Sequence, residues 1–393
     1  MANTYLTPTA VTREALRILH QQANFIGSIN RQYDDSFAKS GAKIGDSLKI
    51  RLPNEYTVRT GRTLDVQDFT ETSVTLQIAT QKGVDLNFTS ADLTLSLDDF
   101  SKRILDPAIS VLVASVESDA LNMRKDVNQQ ANNTAAAITF ANVLGGKRKL
   151  DDSLAPPGER TALLSSNDSV SLVDALKGLF QDSGSVAKQY KEGMMGRTAG
   201  FDFMQNTHLG NQTRGDGASY VVNDTVASGD SEVTIGTGTG TINIGEIVTF
   251  AGCNAVHPET KADLGYLKQF VVTATLTAAG ALSISPAITT TGPRQNCSAI
   301  PTNTGAVTIV GTASTNYGQS MVYHKDAFAF ATADLVMPSG VDFAKREVLD
   351  GISMRVVRQY DINNDAFPCR LDILYGYKTL RAQLACRLAN LAG

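Results

Sequence analysis

The sequence predicts an α+β protein with an inserted antiparallel β domain, and three observations predict it. An apolar stripe at helical spacing runs over 105–127. Two period-two segments, around Ile50 and Leu76, flank a polar stretch. From 221 to 316 the composition turns to Thr, Gly, Val, Ile and Ala, and mixed texture resumes at Tyr317. With 393 residues the chain is long enough for two or three domains and a sizeable core.

Thr7 followed by Pro8 has the form of an N-cap and first helical residue, and Val11, Ala15, Ile18 and Leu19 then recur at helical spacing. A short amphipathic helix therefore follows a short arm. Leu48, Ile50 and Leu52 alternate up to Pro53, as do Val74, Leu76 and Ile78, which predicts paired strands. Between them, 54–72 is polar and charged, with Arg59, Arg62, Asp65, Asp68 and Glu71 and few apolar anchors. It is either a solvated surface loop or an extended hairpin, which at about nine residues per arm would reach roughly 30 Å. Only a partner subunit would give such an arm a purpose.

Asp106 and Pro107 open a second helix, in which Leu105, Ile109, Leu112, Val116, Ala120, Met123 and Val127 keep steps of three and four. Continued to about residue 130 it would be about 36 Å long, a core spine rather than a cofactor box. A polar stretch rich in Gly, Lys and Arg ends near Arg160; a strand at 161–164 and a helix carrying Leu172, Val173, Leu176 and Leu179 follow. The 221–316 block contains short alternating segments such as EIVTFAG, QFVVTATL and ALSISPAI, which read as a small barrel or sandwich. Its cations are Lys261, Lys268 and Arg294, against Asp224, Asp230, Glu232, Glu246, Glu259 and Asp263, an acidity unsuited to facing DNA. Because GISMRVVRQYD and RLDILYGYKTL restore the mixed texture afterwards, the block is inserted and not appended.

Several function classes are disfavoured. Lys and Arg total 35 against 39 Asp and Glu, so the chain lacks the basic footprint of a sequence-reading nucleic-acid binder. Cys253, Cys297, Cys369 and Cys386 form no CxxC pair and are expected as free thiols in a reducing compartment. The amino terminus lacks a signal-peptide stretch and no run of about 18 apolar residues occurs, which predicts a cytoplasmic protein outside membranes. His20, His208, His257 and His324 are scattered, and the lone CxxxH of Cys253 and His257 reads as ordinary barrel residues rather than a zinc site. The GTGTGT run over 236–241 precedes no helix and reads as a turn; no GxSxG elbow occurs. Arg214, Gly215 and Asp216 read as a turn and not as a receptor-binding tripeptide. Acceptor sequences for glycosylation at Asn87 and Asn211 have no meaning without a secretory route.

The segment DDFSKRILDPAISVLVASVESDAL resembles the long helix of tailed-phage coat proteins with the fold named after phage HK-ninety-seven, in the branch typified by Salmonella phage P-twenty-two. RTALLSSNDSVSLVDALKGLF resembles the strand and helix that follow, and GRTAGFDFMQNTHL is similar to the branch's Gly-Phe-Asp strand. IGEIVTFAGCNAVHPETKADLGYLKQFVV, continuing to LSISPAITTTG, resembles the inserted β domain that sets this branch apart. The closing stretch from YGQSMVYHKDAFAFA to YGYKTLRAQLACRLA is similar almost throughout, so the resemblance covers nearly the whole chain.

The resemblance implies a division into an N-terminal arm and helix (1–40), an extended loop with flanking strands (41–95), a spine helix and peripheral domain (96–160), a first axial part (161–220), the inserted β barrel (221–316) and a closing axial and peripheral part (317–393). It implies a major capsid protein forming hexamers and pentamers of an icosahedral head, made in the bacterial cytoplasm with a scaffolding protein and a portal, around double-stranded DNA held without sequence specificity. No catalytic residue, cofactor, metal or membrane belongs to that picture. Arg59, Arg62, Asp65 and Asp68 are then expected as intersubunit charge contacts, which set register more than affinity. Asp216 is the sole acidic residue of a shortened 211–217 stretch where the branch places an acidic intercapsomere loop. Lys43 and Lys49 match no crosslinking motif, so no covalent joining of subunits is expected. The competing readings are a cellular nanocompartment shell of the same fold, an enzyme, for which no acid, base and nucleophile set can be assembled, and a β-rich adhesin, which the missing export signal disfavours.

Overall fold

The alternation of Leu48, Ile50, Val74 and Leu76 is realised as an antiparallel pair, Asp46–Arg51 with Ser73–Ile78, in which Leu48 stands opposite Leu76 and Ile50 opposite Val74. Leu76 and Ile78 are buried while Ser73, Thr75 and Gln77 are exposed, as a period of two requires. The computed structural model describes residues 12, 14–15, 17, 23–33, 46–64, 66, 71–89, 106–133, 137–176, 196–349, 352–363 and 366–391. The chain divides into two units, Met1–Arg51 with Ser73–Leu121 and Phe328–Lys378, and Leu52–Thr72 with Asn122–Ala327 and Thr379–Gly393. Thr12, Glu14, Ala15 and Arg17 are helical, within the predicted first helix; its cap at Thr7 lies outside the described residues.

In the first unit a sheet runs in the order Asn30–Tyr33, Phe328–Ala333, Ala366–Thr379, Ile352–Arg358 and Phe343–Leu349, and Thr80–Thr89 also pairs with Ala366–Thr379. Two helices, α1 (Asn24–Ser28) and α2 (Asp106–Leu121), supply the rest of the core. The start of α1 lacks a side-chain cap of its own, and the buried Glu117 on α2 accepts the Phe25 N–H at 2.7 Å. Asp119, also on α2, pairs with Lys82 at 2.6 Å and accepts the Tyr375 hydroxyl at 2.5 Å. Between them Ile109, Leu112, Val113 and Val116 are buried, and the core cavity beside Val113 and Phe330 is only about 10 Å³, at the threshold for a single water.

The predicted spine is too long. Helix α2 has 16 residues, about 24 Å at 1.5 Å per residue; Asn122–Asp126 wind as a 3-10 turn and Gln130–Asn133 are already a strand. Met123 and Val127 remain buried, so the apolar spacing reported burial correctly while the winding changed beneath it. Asn122 and Asp126 are weak helix formers at that change.

In the second unit a seven-stranded sheet contains, in order, Gln130–Asn133, Ala385–Leu391, Asn316–His324, Arg160–Leu164, Phe201–Gln205 and Arg197–Thr198, with Gln212–Thr213 also on Asn316–His324. Among the described residues two α-helices belong here: α3 (Phe140–Asp152) and α4 (Ser166–Leu176). The stretch that α3 occupies reads from sequence only as polar and rich in Gly, Lys and Arg, and the structure makes it a helix. Asn142 Oδ1 accepts the Thr139 N–H at 3.0 Å, capping α3, and Val143, Gly146 and Leu150 form its buried face. A Cβ at Gly146 would lie 2.7 Å from Val322 Cγ2, so glycine is what lets α3 approach the strand. The strand predicted at 161–164 is present, and α4 carries Leu172 into the core; Leu179 lies outside the described residues.

Within the same unit the Thr- and Gly-rich block forms a separate antiparallel sheet in the order Val221–Val222, Glu232–Gly236, Gly280–Ser285, Phe270–Val272, Ile247–Phe250 and Val307–Ile309. Its first and last strands are also joined, because Val222 N–H donates to the Gly305 carbonyl at 2.9 Å and Val307 N–H to that of Tyr220 at 3.0 Å. The hairpin Asn254–Val256 with Asp263–Leu267 completes it. The block leaves and rejoins the seven-stranded sheet at adjacent points: Gln212 and Thr213 pair with Tyr317 and Asn316, and Arg214 N–H donates to the Thr315 carbonyl at 2.9 Å. The two ends of the block therefore lie side by side.

Candidate assembly surfaces

Pro53 has no N–H, so the ladder of the strand pair ends on one last bond, Leu52 N–H to the Thr72 carbonyl at 2.8 Å. Beyond it residues 53–64 form no strand, so the hairpin alternative of nine paired residues per arm is not realised among the described residues. Thr72 Oγ1 accepts from Arg294 at 2.7 Å, within the second unit. Arg59 donates to the carbonyls of Gly61 and Thr63, the latter at 3.1 Å, and Gly61 takes the φ of +101° that the bend demands. Arg62 is exposed; Asp65 and Asp68 lie outside the described residues.

What the arm presents is apolar. Tyr56 is 62% exposed, Val58 95%, Leu64 76% and Val66 74%. Such side chains cost solvation unless something covers them. Their spacing by two, Tyr56 with Val58 and Leu64 with Val66, was visible in the sequence but masked by the surrounding charge.

At the neck of the inserted block, Arg214 is buried and donates to the Gly215 carbonyl at 3.1 Å and the Gly217 carbonyl at 2.9 Å, which leaves no receptor-binding tripeptide on offer. Asp216 is exposed, and its Oδ1 accepts the Thr241 N–H at 2.7 Å, tying the turn at Gly240. Glu246 Oε1 accepts the Gly215 N–H at 2.6 Å, and the buried Arg387 donates to the Gly245 carbonyl at 2.7 Å. No periodicity could announce Arg387 or Glu246, since both are charged residues placed in a core by tertiary structure. Burial holds the Glu246 carboxyl above its ordinary value of 4.5, against the lowering effects of the Gly215 and Asn243 bonds and Arg214. A raised folded value means that this carboxylate's share of stability is greatest below 4.5 and is lost as pH rises through the folded value. Glu246→Gln is therefore expected to melt above the parent at pH 7, with the difference shrinking as pH falls to 4.5 and below; a constant difference in melts across that range would refute this.

The three cations of the acidic block are all engaged: the half-buried Lys268 faces Cys253 and Cys297, Lys261 donates to the Pro293 carbonyl, and Arg294 to Thr72. Among the described residues no group of three or more His, Cys, Asp or Glu could hold a metal, and no helix is long and apolar enough to cross a membrane. All four cysteines are free and buried.

An α+β chain whose buried charges serve its own turns, and whose largest exposed apolar feature is an arm, is a structural building block. The family model "P22 coat protein - gene protein 5" matches residues 29–387, and the chain belongs to that family. Its role is that of a bacteriophage major capsid protein, a structural component of the virion capsid that assembles with its own copies into capsomers. This membership favours the coat over the nanocompartment, enzyme and adhesin readings. Among solved structures the chain is similar to that of Mycobacterium phage Che8, with 12% identity and a TM-score of 0.47 over 93% of this chain and 91% of the other. The bacteriophage PhiM1 mature capsid matches with 11% identity and a TM-score of 0.45 over 94% and 87%. The CUS-3 coat protein I-domain matches with 26% identity and a TM-score of 0.19, over 23% of this chain and 95% of that domain. Among curated proteins there is no match.

Proposed function

We propose that the chain builds the icosahedral head of a tailed phage by polymerising through its arm, which lays Tyr56, Val58, Leu64 and Val66 on a second copy. The observation that carries this is the exposure of those four side chains on a segment without a strand partner of its own. Arg59, Arg62, Asp65 and Asp68 act at the rim of that contact, fixing register, and Asp216 is a further contact at the neck of the insertion. Many moderate contacts, closed into hexamers and pentamers, give a stable shell whose single joints stay weak enough to correct errors.

The domain division follows the HK-ninety-seven plan, with the insertion as a barrel; the bonds joining its first and last strands support closure. Its excess of acidic residues, with all its cations engaged, suits an outward brace and not a DNA-facing surface. Assembly takes place in the host cytoplasm on a scaffolding protein and a portal, and the head takes up double-stranded DNA without reading its sequence. The chain catalyses nothing and needs no cofactor. Negative-stain microscopy of the purified chain, alone and with a candidate scaffolding protein, tests the reading. Uniform closed shells are expected with the scaffolding protein; small monodisperse particles under both conditions would refute it.

A further inference from the structure

Two of the four cysteines lie together. Cys253 follows the strand Ile247–Phe250, and its N–H donates to the Phe250 carbonyl at 3.2 Å. Cys297 lies 44 residues later, opposite Ala255 in an antiparallel bridge that the Ser298 N–H reinforces by donating to the Asn254 carbonyl at 2.9 Å. In an antiparallel pair, residues two positions apart share a face, so Cys253 and Cys297 point into the same core. There the two thiols act on each other. Lys268 also reaches this place: its own N–H donates to the Cys253 carbonyl at 2.9 Å, and its buried ammonium acts on both sulfurs.

The arrangement divides labour between the sulfurs. The neighbouring Cys253 thiol holds the Cys297 thiol below its ordinary value in spite of burial, and Lys268 adds to that effect. Cys253 is pushed up by the same pairing and by burial. Cys369 and Cys386 differ: burial pushes each up to about 11, and no second cysteine acts on either. The thiolate is the reactive form, so one reactive and one resolving thiol stand side by side at the first pair only.

We propose that Cys253 and Cys297 form a modification site at which a small peroxide generates a disulfide inside the inserted domain. The Cys297 thiolate attacks one peroxide oxygen; the O–O bond breaks, hydroxide leaves and takes up a proton, and Cys297 becomes a sulfenic acid. Cys253 then attacks that sulfur, the S–S bond forms, and the sulfenic hydroxyl leaves as water with the Cys253 proton. Two thiols and one peroxide become one disulfide and two waters. The pair is fully buried, but a peroxide is close to water in size, and the short hairpin Asn254–Val256 with Asp263–Leu267 beside it can open locally. The bond would close a loop of 44 residues and restrain the domain's unfolded state. On the coat reading above, this happens once the particle leaves a reducing cytoplasm; the chemistry itself does not depend on that reading.

The experiment treats the reduced, folded full-length chain with hydrogen peroxide, alkylates it in denaturant and maps its peptides by mass. Two of the four thiols are expected to escape alkylation, joined in one reductant-sensitive link between the Cys253 and Cys297 peptides. The melting temperature is expected to rise by about 5 °C or more. Cys386→Ala should keep the link and Cys297→Ala should lose it, while the unsubstituted chain's map is decisive even if a variant misfolds. Four alkylatable thiols after treatment, a sulfinic acid in place of the link, or a link through Cys369 or Cys386 would each overturn the proposal. Failure to form shells leaves this thiol chemistry unchanged, and so bears on the coat reading alone.

Discussion

Replacing the arm's four apolar residues together, as Tyr56→Ser, Val58→Ser, Leu64→Ser and Val66→Ser, is expected to abolish shell formation while the chain still folds. These side chains are exposed within the chain, so their removal takes little from its own core. Covered by another subunit, each would contribute up to about 1.5–3 kcal/mol. Four together approach the whole strength of a moderate contact, and a closed shell repeats that loss at every joint. The melt should stay within about 2 °C of the parent, since exposed substitutions rarely move stability, while sedimentation and microscopy show no particles. Shells at parental yield would locate the decisive contact elsewhere.

Reversing charge on the same arm should act differently. Arg59 is held by the carbonyls of Gly61 and Thr63, so Arg59→Glu reshapes the tip. Arg62 is exposed, and its effect should appear in the rate and salt dependence of assembly more than in its end point. A contact read only from charges would have ranked these residues above the apolar ones.

That ranking shows where sequence periodicity stops. It placed the pair Leu48 and Leu76, the strand at 161–164 and the short strands of the 221–316 block, because each buries apolar residues in a short regular run. It overextended α2 because Met123 and Val127 stay buried when the backbone tightens, and apolar spacing carries burial but not winding. It assigned no helix at α3 because GGKRKLDD is polar and rich in Gly, although Gly146 is there to fit against Val322. The neck was illegible for a further reason. Glu246 and Arg387 are charged residues buried with partners distant in sequence, Arg214 is buried against the carbonyls of its own turn, and a reading by local pattern assigns such residues to the surface.

Phe250→Ala is expected to unfold the inserted domain. Phe250 is fully buried and packs on Phe270, with ring centroids 5.5 Å apart, in the core that every strand of the block's six-stranded sheet lines. Truncating a buried phenylalanine costs about 3–5 kcal/mol, against about 5–15 kcal/mol for the stability of a typical domain. The block rejoins the seven-stranded sheet through Asn316 and Tyr317, so its loss frees the strand Asn316–His324 at one end. Lower soluble yield and rapid proteolysis within 216–310 should follow, whereas Phe250→Leu, which keeps most of the volume, should cost no more than about 1.5 kcal/mol. If Phe250→Ala melts like the parent and resists protease equally, the domain is held by its turns and neck rather than its core.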